Sequence, residues 1–253
     1  MVYGREALIL GGILVAAVLA NTATPKQEWR VERRFADSGR VDFTVIRTRI
    51  GNWSQENNQV PVSNFRNFRQ GSLNSVGPVQ FEYVQDAGRL VCEGRMFFGK
   101  GSGTWTFQPN DEFVRELREL GYATPDQEQL FRMTLDGVNL EFARTAKEAG
   151  LRASTDDLLE MRRFRVTPES VRSLQEAGYR GFTAGDFIDL KKHGVRTELA
   201  QMAMDLGYRF RSQELIDLTA HGVTEDYLRN LRATGITGLT SEQIVKLRQH
   251  GVE

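Results

Sequence analysis

Across the second half of the chain, glycine returns on two interleaved ladders, and no other feature constrains the fold as strongly. Gly-Val recurs at Gly137, Gly194, Gly222 and Gly251, with Arg165-Val166 in the missing place, so successive separations are 28, 29, 28 and 29. A second ladder runs Gly121, Gly150, Gly178, Gly207, Gly235, separated by 29, 28, 29 and 28. Two ladders of one period predict a repeating pair of helices over residues 110–253.

Each pair reads the same way. The first helix is expected to open at Thr124, Ser154, Thr183 or Thr240, and Thr124 with Gln127 and Thr240 with Gln243 have capping-box spacing. Its apolar face recurs as Leu130/Phe131/Met133, Leu158/Leu159/Met161, Phe187/Ile188/Leu190, Leu215/Ile216/Leu218 and Ile244/Val245/Leu247. Glycine ends it, because the position beyond a helix often needs positive φ. The second helix alternates in size at its apolar positions: Val114/Leu117, Ala143/Ala146, Val171/Leu174, Ala200/Ala203, Leu228/Leu231. Small pairs let neighbours approach closely, which predicts alternating spacings or a two-unit superstructure.

The same frame explains the three histidines, His193, His221 and His250, each of which precedes Gly-Val at Gly194, Gly222 and Gly251. Each is predicted as the last residue of a first helix, where partial negative charge favours a donating or cationic side chain by ~0.3–1 kcal/mol. Zinc needs nitrogen ligands about 2.0–2.1 Å away. Equivalent positions on successive packed helices sit roughly 8–10 Å apart, so three in file do not make a metal site.

Before Pro109 the texture is different. VDFTVIRTRI, PVQFEYVQD, GRLVCEGRMFF and GTWTFQP are short, β-branched and aromatic, with period-two stretches at Val79, Phe81, Tyr83 and at Trp105, Phe107. Asp86-Ala87-Gly88 and the glycines of FGKGSG (Gly99, Gly101, Gly103) are read as two turns of an antiparallel meander over the last three runs. The polar stretch between, carrying Trp53, Phe65 and Phe68, is read as a covering loop in preference to a binding face. Still earlier, the apolar run from Ala7 to Ala20 follows Arg5 and is shorter than the ~20 residues of a spanning helix. It predicts an apolar N-terminal helix serving as an export signal or short anchor. Glu6 and the cations Lys26, Arg30, Arg33 and Arg34 weigh against it. The expected fold is therefore α+β: residues 1–20 a signal or anchor, 21–37 a linker, 38–109 a small antiparallel β module, and 110–253 a solenoid-like array of αα-hairpins.

Thirty-three basic against thirty-three acidic residues leave no net charge, which argues against general attraction to nucleic acid or to an anionic membrane surface and leaves only local electrostatic recognition. The single Cys92 excludes an internal disulfide and is read as a buried apolar residue. GRMFFGKG nearly spells a phosphate loop, but Gly101 stands where Ser or Thr is needed, and the segment joins two strands. No HExxH, GxSxG or SxxK occurs, and Asp156, Asp157 and Glu160 read as solvated charge. No catalytic, cofactor or metal residue is assigned.

Units such as FTAGDFIDLKKHGVRTELAQMAMDLGY resemble the αα-repeats built on LIxLxxHGV and TPExVxxLxxxGY in acidobacterial-type bacterial proteins. Some of those repeats are appended to antirepressor metallopeptidases of the β-lactam-sensor type, and QFEYVQDAGRLVCEGRMFFGKGSGTWTFQPNDEFV resembles the β module that often precedes them. The zinc motif is missing here, so the resemblance implies no proteolysis. The expectation is a non-enzymatic interaction or scaffold module, exported or membrane-tethered, acting as an accessory subunit to a membrane-associated protein. Its location would be the periplasm or the periplasmic side of the membrane, with the cytoplasmic face as the alternative. Arg162, Arg163, Lys191, Lys192 and Trp53 are the candidate partner surface. The competing expectation is an extracytoplasmic ligand sensor that uses the β module.

Overall fold

The computed structural model describes residues 27–33, 39–49 and 52–252. Seven antiparallel strands form one sheet in the order β3-β2-β1-β7-β6-β5-β4. They are β1 (Gln27–Glu32), β2 (Arg40–Arg49), β3 (Asn52–Pro61), β4 (Phe65–Arg66), β5 (Val76–Gln85), β6 (Gly88–Phe97) and β7 (Lys100–Pro109). Alternation buries Trp29 and Val31 on β1, and Val41, Phe43 and Val45 on β2. The sheet is rolled: Phe43 on β2 lies 5.2 Å from Phe65 on β4 and 5.3 Å from Tyr83 on β5, although these strands stand toward opposite margins. The result is a nearly closed barrel with an aromatic filling, Trp29 meeting Phe81 edge-on at 4.8 Å.

This sheet replaces the small β module of the expected fold. Strand β1 lies inside the segment expected as a linker, where QEWRVE is too short to stand out and is held by pairing with β2 and β7. The polar stretch is no covering loop. It supplies strand β3, paired along β2, and Phe65 and Phe68, which are buried in the barrel. Gly101 and Gly103 are not turn residues either. They are inward positions of β7, and the turn is confined to Phe98 and Gly99. A Cβ at Gly94 would stand 2.7 Å and one at Gly101 3.1 Å from the Trp29 indole, so two missing side chains make the room that the indole fills. The expected N-terminal helix at residues 7–20 lies outside the described residues. Among the described residues no helix is long and apolar enough to cross a membrane.

Ten helices follow: α1 (Asp111–Glu119), α2 (Gln127–Asp136), α3 (Leu140–Glu148), α4 (Thr155–Arg163), α5 (Pro168–Glu176), α6 (Ala184–Lys192), α7 (Thr197–Asp205), α8 (Ser212–Ala220), α9 (Glu225–Ala233) and α10 (Ser241–Gln249). Each packs on the helix two places along, so even-numbered and odd-numbered helices form two rows. Helices this short are marginal alone. Packing holds them, through Leu158, Leu159 and Met161 on α4 or Phe187, Ile188 and Leu190 on α6. Capping boxes open many of them, at Ser154/Asp157, Thr183/Asp186 and Thr240/Gln243. For α2 the box is Asp126/Gln129, not Thr124/Gln127, and the helix begins at Gln127, two residues past Pro125.

Both glycine ladders are one device. After α6, Val195 N–H donates to Leu190 O (2.9 Å) and Gly194 N–H to Lys191 O (3.2 Å), the two bonds of a Schellman motif. The valine explains itself here: Val195 is buried beyond the cap, where an apolar contact back to the last turn accompanies the motif. Gly194 has φ 70°, and Arg165, with φ 56°, makes the same turn with a side chain attached. We therefore expect Gly194→Val to lower stability by about 1–2 kcal/mol or more, the cost of a left-handed L-residue. Nothing lies within 4 Å of a Cβ at 194, so the loss is purely backbone. Arg165→Gly should stay within about 1 kcal/mol of the parent. Urea midpoints of the two variants check this, and equal midpoints would contradict it.

The size alternation in the odd-numbered row has a structural counterpart. Tyr122 OH donates to Ala143 O (2.8 Å) and Tyr179 OH to Ala200 O (3.1 Å), two units later. In both, the hydroxyl reaches the backbone of the following helix at one of its alanine positions. In the unit after Ala200, where α9 carries Leu228, the tyrosine does otherwise: Tyr208 stacks on Phe210 at 5.1 Å.

Candidate functional site

The last turns of α4 and α6 carry the basic pairs Arg162-Arg163 and Lys191-Lys192, where the helix ends favour cations. Equivalent positions are Thr134-Leu135 on α2, Thr219-Ala220 on α8 and Arg248-Gln249 on α10, so the paired charge belongs to α4 and α6 alone. Arg163 and Lys192 come together. Glu160 receives Lys192 (3.6 Å), Arg163 (4.0 Å) and Arg132 of α2 (3.7 Å), linking three successive helices of one row. Lys192 also reaches Asp189 (3.8 Å). Phe164 forms the floor, with Lys192 Nζ 5.0 Å and the Arg163 guanidinium 5.9 Å from its ring. Exposed ion pairs contribute only about 0–1 kcal/mol to stability. The consequence of the cluster is instead electrostatic: three cations share Glu160, over a partly exposed phenyl ring.

Arg162 and Lys191 do not join this cluster. Arg162 lies over Phe142 (5.2 Å) and donates from Nε to Asp136 O (3.4 Å), capping the end of α2. Lys191 is half-buried in a crevice with Val166, Leu174 and Val195. Trp53 lies in β3 opposite Thr48, and its side chain is outside the described residues. His193, His221 and His250 are the C-cap residues of α6, α8 and α10. With the proton on Nδ1, His193 donates to Asp189 O (2.9 Å) and His221 to Asp217 O (2.8 Å). The residues that follow them, Gly194, Gly222 and Gly251, have φ between 70° and 72°. From sequence alone, Glu160 reads only as a solvated charge and Phe164 is assigned to no site. Their signal was periodic: position 160 reads Arg one unit earlier and Asp one unit later, at Arg132 and Asp189.

A second concavity, about 280 Å3, lies where the barrel meets α2, lined by Arg47, Trp105, Phe107, Glu128 and Phe131 among others. Arg47 forms a two-pronged ion pair with Glu128 (2.7 and 2.5 Å) and lies 4.6 Å over the Phe131 ring. Trp105 stacks on the same ring at 5.1 Å. The indole N–H of Trp105 is shared between Glu28 O and Ile46 O (3.1 and 3.3 Å). This is a joint, closed on one side by a guanidinium and on the other by an indole. Cys92 is buried in the barrel, and burial pushes its thiol well above the ordinary range, which disfavours the reactive thiolate.

The capping-box side chains do double duty along the even-numbered row. Ser212 Oγ donates to Asp186, and Ser241 Oγ to Glu214 (3.2 Å), each from the first turn of the next helix. Partial burial pushes the Asp186 carboxyl up, but hydrogen bonds from Ser212 and from the backbone and hydroxyl of Thr183 outweigh it and hold it below its usual value. The Arg211 backbone N–H is the main cause of the same depression at Glu214.

Fold and site together define a barrel joined to a double row of short helices with one cationic, phenyl-floored face. Compared with known protein families and with curated proteins, the chain matches no family model and no curated protein.

Proposed function

We propose that this protein is a protein-interaction module whose even-numbered helix row receives an acidic segment of a partner protein at Arg163, Lys192 and Phe164. One observation carries the reading: cations from three successive helices share the single Glu160 above Phe164. A partner carboxylate at that place gains two cations already arranged beside an apolar floor. Stacked helices suit such recognition because exposed positions vary while buried ones repeat. The apolar run at residues 7–20 would supply export or a tether, making the partner a membrane-associated protein and this chain its accessory subunit.

The test is co-purification from native membranes with full-length protein. A stoichiometric acidic partner is expected with the parent. Arg163→Glu with Lys192→Glu should weaken it roughly tenfold or more, since each 1.4 kcal/mol is tenfold, while far-ultraviolet circular dichroism stays unchanged. Retention of the partner by the double variant at parental affinity would remove this face from the interaction.

A further inference from the structure

At the end of the barrel farthest from the helices, the β6–β7 hairpin exposes two adjacent phenyl side chains. Phe97 and Phe98 are 66% and 71% exposed, and Val76, opposite Phe97 on β5, is 55% exposed. The rings meet edge-on at 5.0 Å. The tip is held rigidly: Arg33 N–H donates to Gly99 O (2.8 Å), and Gly99 N–H to Leu73 O (2.6 Å) beside the buried Leu73. Phe98 has φ 41°, an unfavourable backbone for a bulky residue. Such strain persists where the surroundings over-determine it, and it clusters at functional places. Here it keeps a second ring in water.

The outward face behind the tip is organised in cross-strand rows. Glu32, Lys100 and Phe97 share the row of the tip with Val76 and Asp42. The next row, two residues back, reads Thr44, Arg30, Ser102, Arg95. Two residues of strand are roughly 7 Å. Lys100 pairs with Glu32 (2.6 Å), whereas Arg30 and Arg95 are exposed and make no ion pair among the described residues. The two guanidinium groups and the Lys100 ammonium, with the Ser102 and Thr44 hydroxyls, Phe97 and the carboxylates of Glu32 and Asp42, line a shallow concavity of about 550 Å3. The carboxylates Glu28 and Glu93 stand one row farther back, opposite Thr104.

We infer that this end of the barrel docks on an anionic phospholipid bilayer, with Phe97 and Phe98 entering the interface and Arg30 and Arg95 taking lipid phosphates. The spacing carries the choice. Interfacial apolar groups bury about 5–10 Å into the headgroup boundary, so cations roughly 7 Å behind the rings fall at the phosphates. Guanidinium matches phosphate in two-pronged geometry, and basic residues near an anionic leaflet strengthen attachment. Neither the cationic face of the helices nor residues 7–20 takes part in this contact.

Full-length protein carrying Phe98→Trp is mixed with vesicles of phosphatidylcholine alone or with three parts in ten phosphatidylglycerol, with and without brominated acyl chains. Trp29, Trp53 and Trp105 emit as well, so the same titration is run on the protein with Phe98 intact, and the difference between the two reports on the tip. We expect a blue shift, and quenching by the brominated lipid, on the anionic vesicles. Arg30→Gln with Arg95→Gln should weaken partition about tenfold or more, as should Phe97→Ser in the same background. An unshifted emission while the protein sediments with vesicles would overturn the inference, as would equal partition onto the zwitterionic vesicles. A blue shift that grows with protein concentration without lipid would assign the tip to a second copy of the chain and overturn it equally.

Discussion

Phe131→Ala is expected to lower the stability of barrel and helices together by about 3–5 kcal/mol, the usual cost of emptying a buried phenyl site. The ring belongs to α2 but packs in the barrel core, stacked with Trp105 and edge-on to Phe107 at 5.5 Å. Arg47 lies on it as well. Removing it therefore strips partners from both bodies at their joint. Trp emission and far-ultraviolet circular dichroism, followed through the same urea titration, should shift to one lower midpoint. A loss below about 1 kcal/mol, or a shift in one probe alone, would show that the joint does not couple the two parts.

Gly103→Ala should be nearly as damaging, about 3 kcal/mol, at the upper end of ordinary overpacking. A Cβ there would stand 1.9 Å from Glu93 O and 2.6 Å from Gly94 Cα. Both are backbone atoms of the neighbouring strand, so no side chain can swing away. The strands would have to part, and the Trp29 indole, which donates to Glu93 O (3.1 Å), would lose its seat. Gly71→Ala is the control, because nothing lies within 4 Å of its Cβ position. Loss of near-ultraviolet aromatic signal in the first variant alone is the expected result, and identical midpoints for the two would refute the packing account.

These glycines also show what could be read in the chain and what could not. The helical half is legible because the ends of α1 to α8 each place a left-handed residue before a buried one, and the pairs Gly194-Val195 or Gly178-Tyr179 print that demand at fixed intervals. The barrel prints no such mark. Gly101 and Gly103 look like a turn, because their reasons for being small, Met96 and Trp29 for the first and the backbone of Glu93 and Gly94 for the second, lie elsewhere along the chain. Strand β3, NWSQENNQVP, carries no hydrophobic alternation and is a strand through its register with β2. Phe65 and Phe68 sit in a polar segment and are buried only because the sheet rolls over them. At the candidate face, Arg163 and Lys192 were visible as charges. Their meeting at Glu160 depends on how neighbouring helices stack, which no single helix displays.

The shared capping side chains set how the even-numbered row would come apart. Gln129 reaches Thr155 Oγ1 (3.4 Å), Asp186 accepts from Ser212, and Glu214 accepts from Ser241, so three of the four junctions carry a polar stitch at their opening turns. At the remaining junction, between α4 and α6, Asp157 holds the position equivalent to Asp186, and Ala184, which has no hydroxyl, holds that of Ser212. That seam is bridged at its other end, by Lys192 and Glu160. In a stack where each unit leans on its neighbours, cohesion is set link by link, and the link without a stitch parts most easily. The seam therefore divides the row into an inner block carried by the barrel and an outer block of α6, α8 and α10. An acidic segment lying across Arg163 and Lys192 would clasp both blocks, so occupancy of the face would stiffen the whole stack at its weakest link.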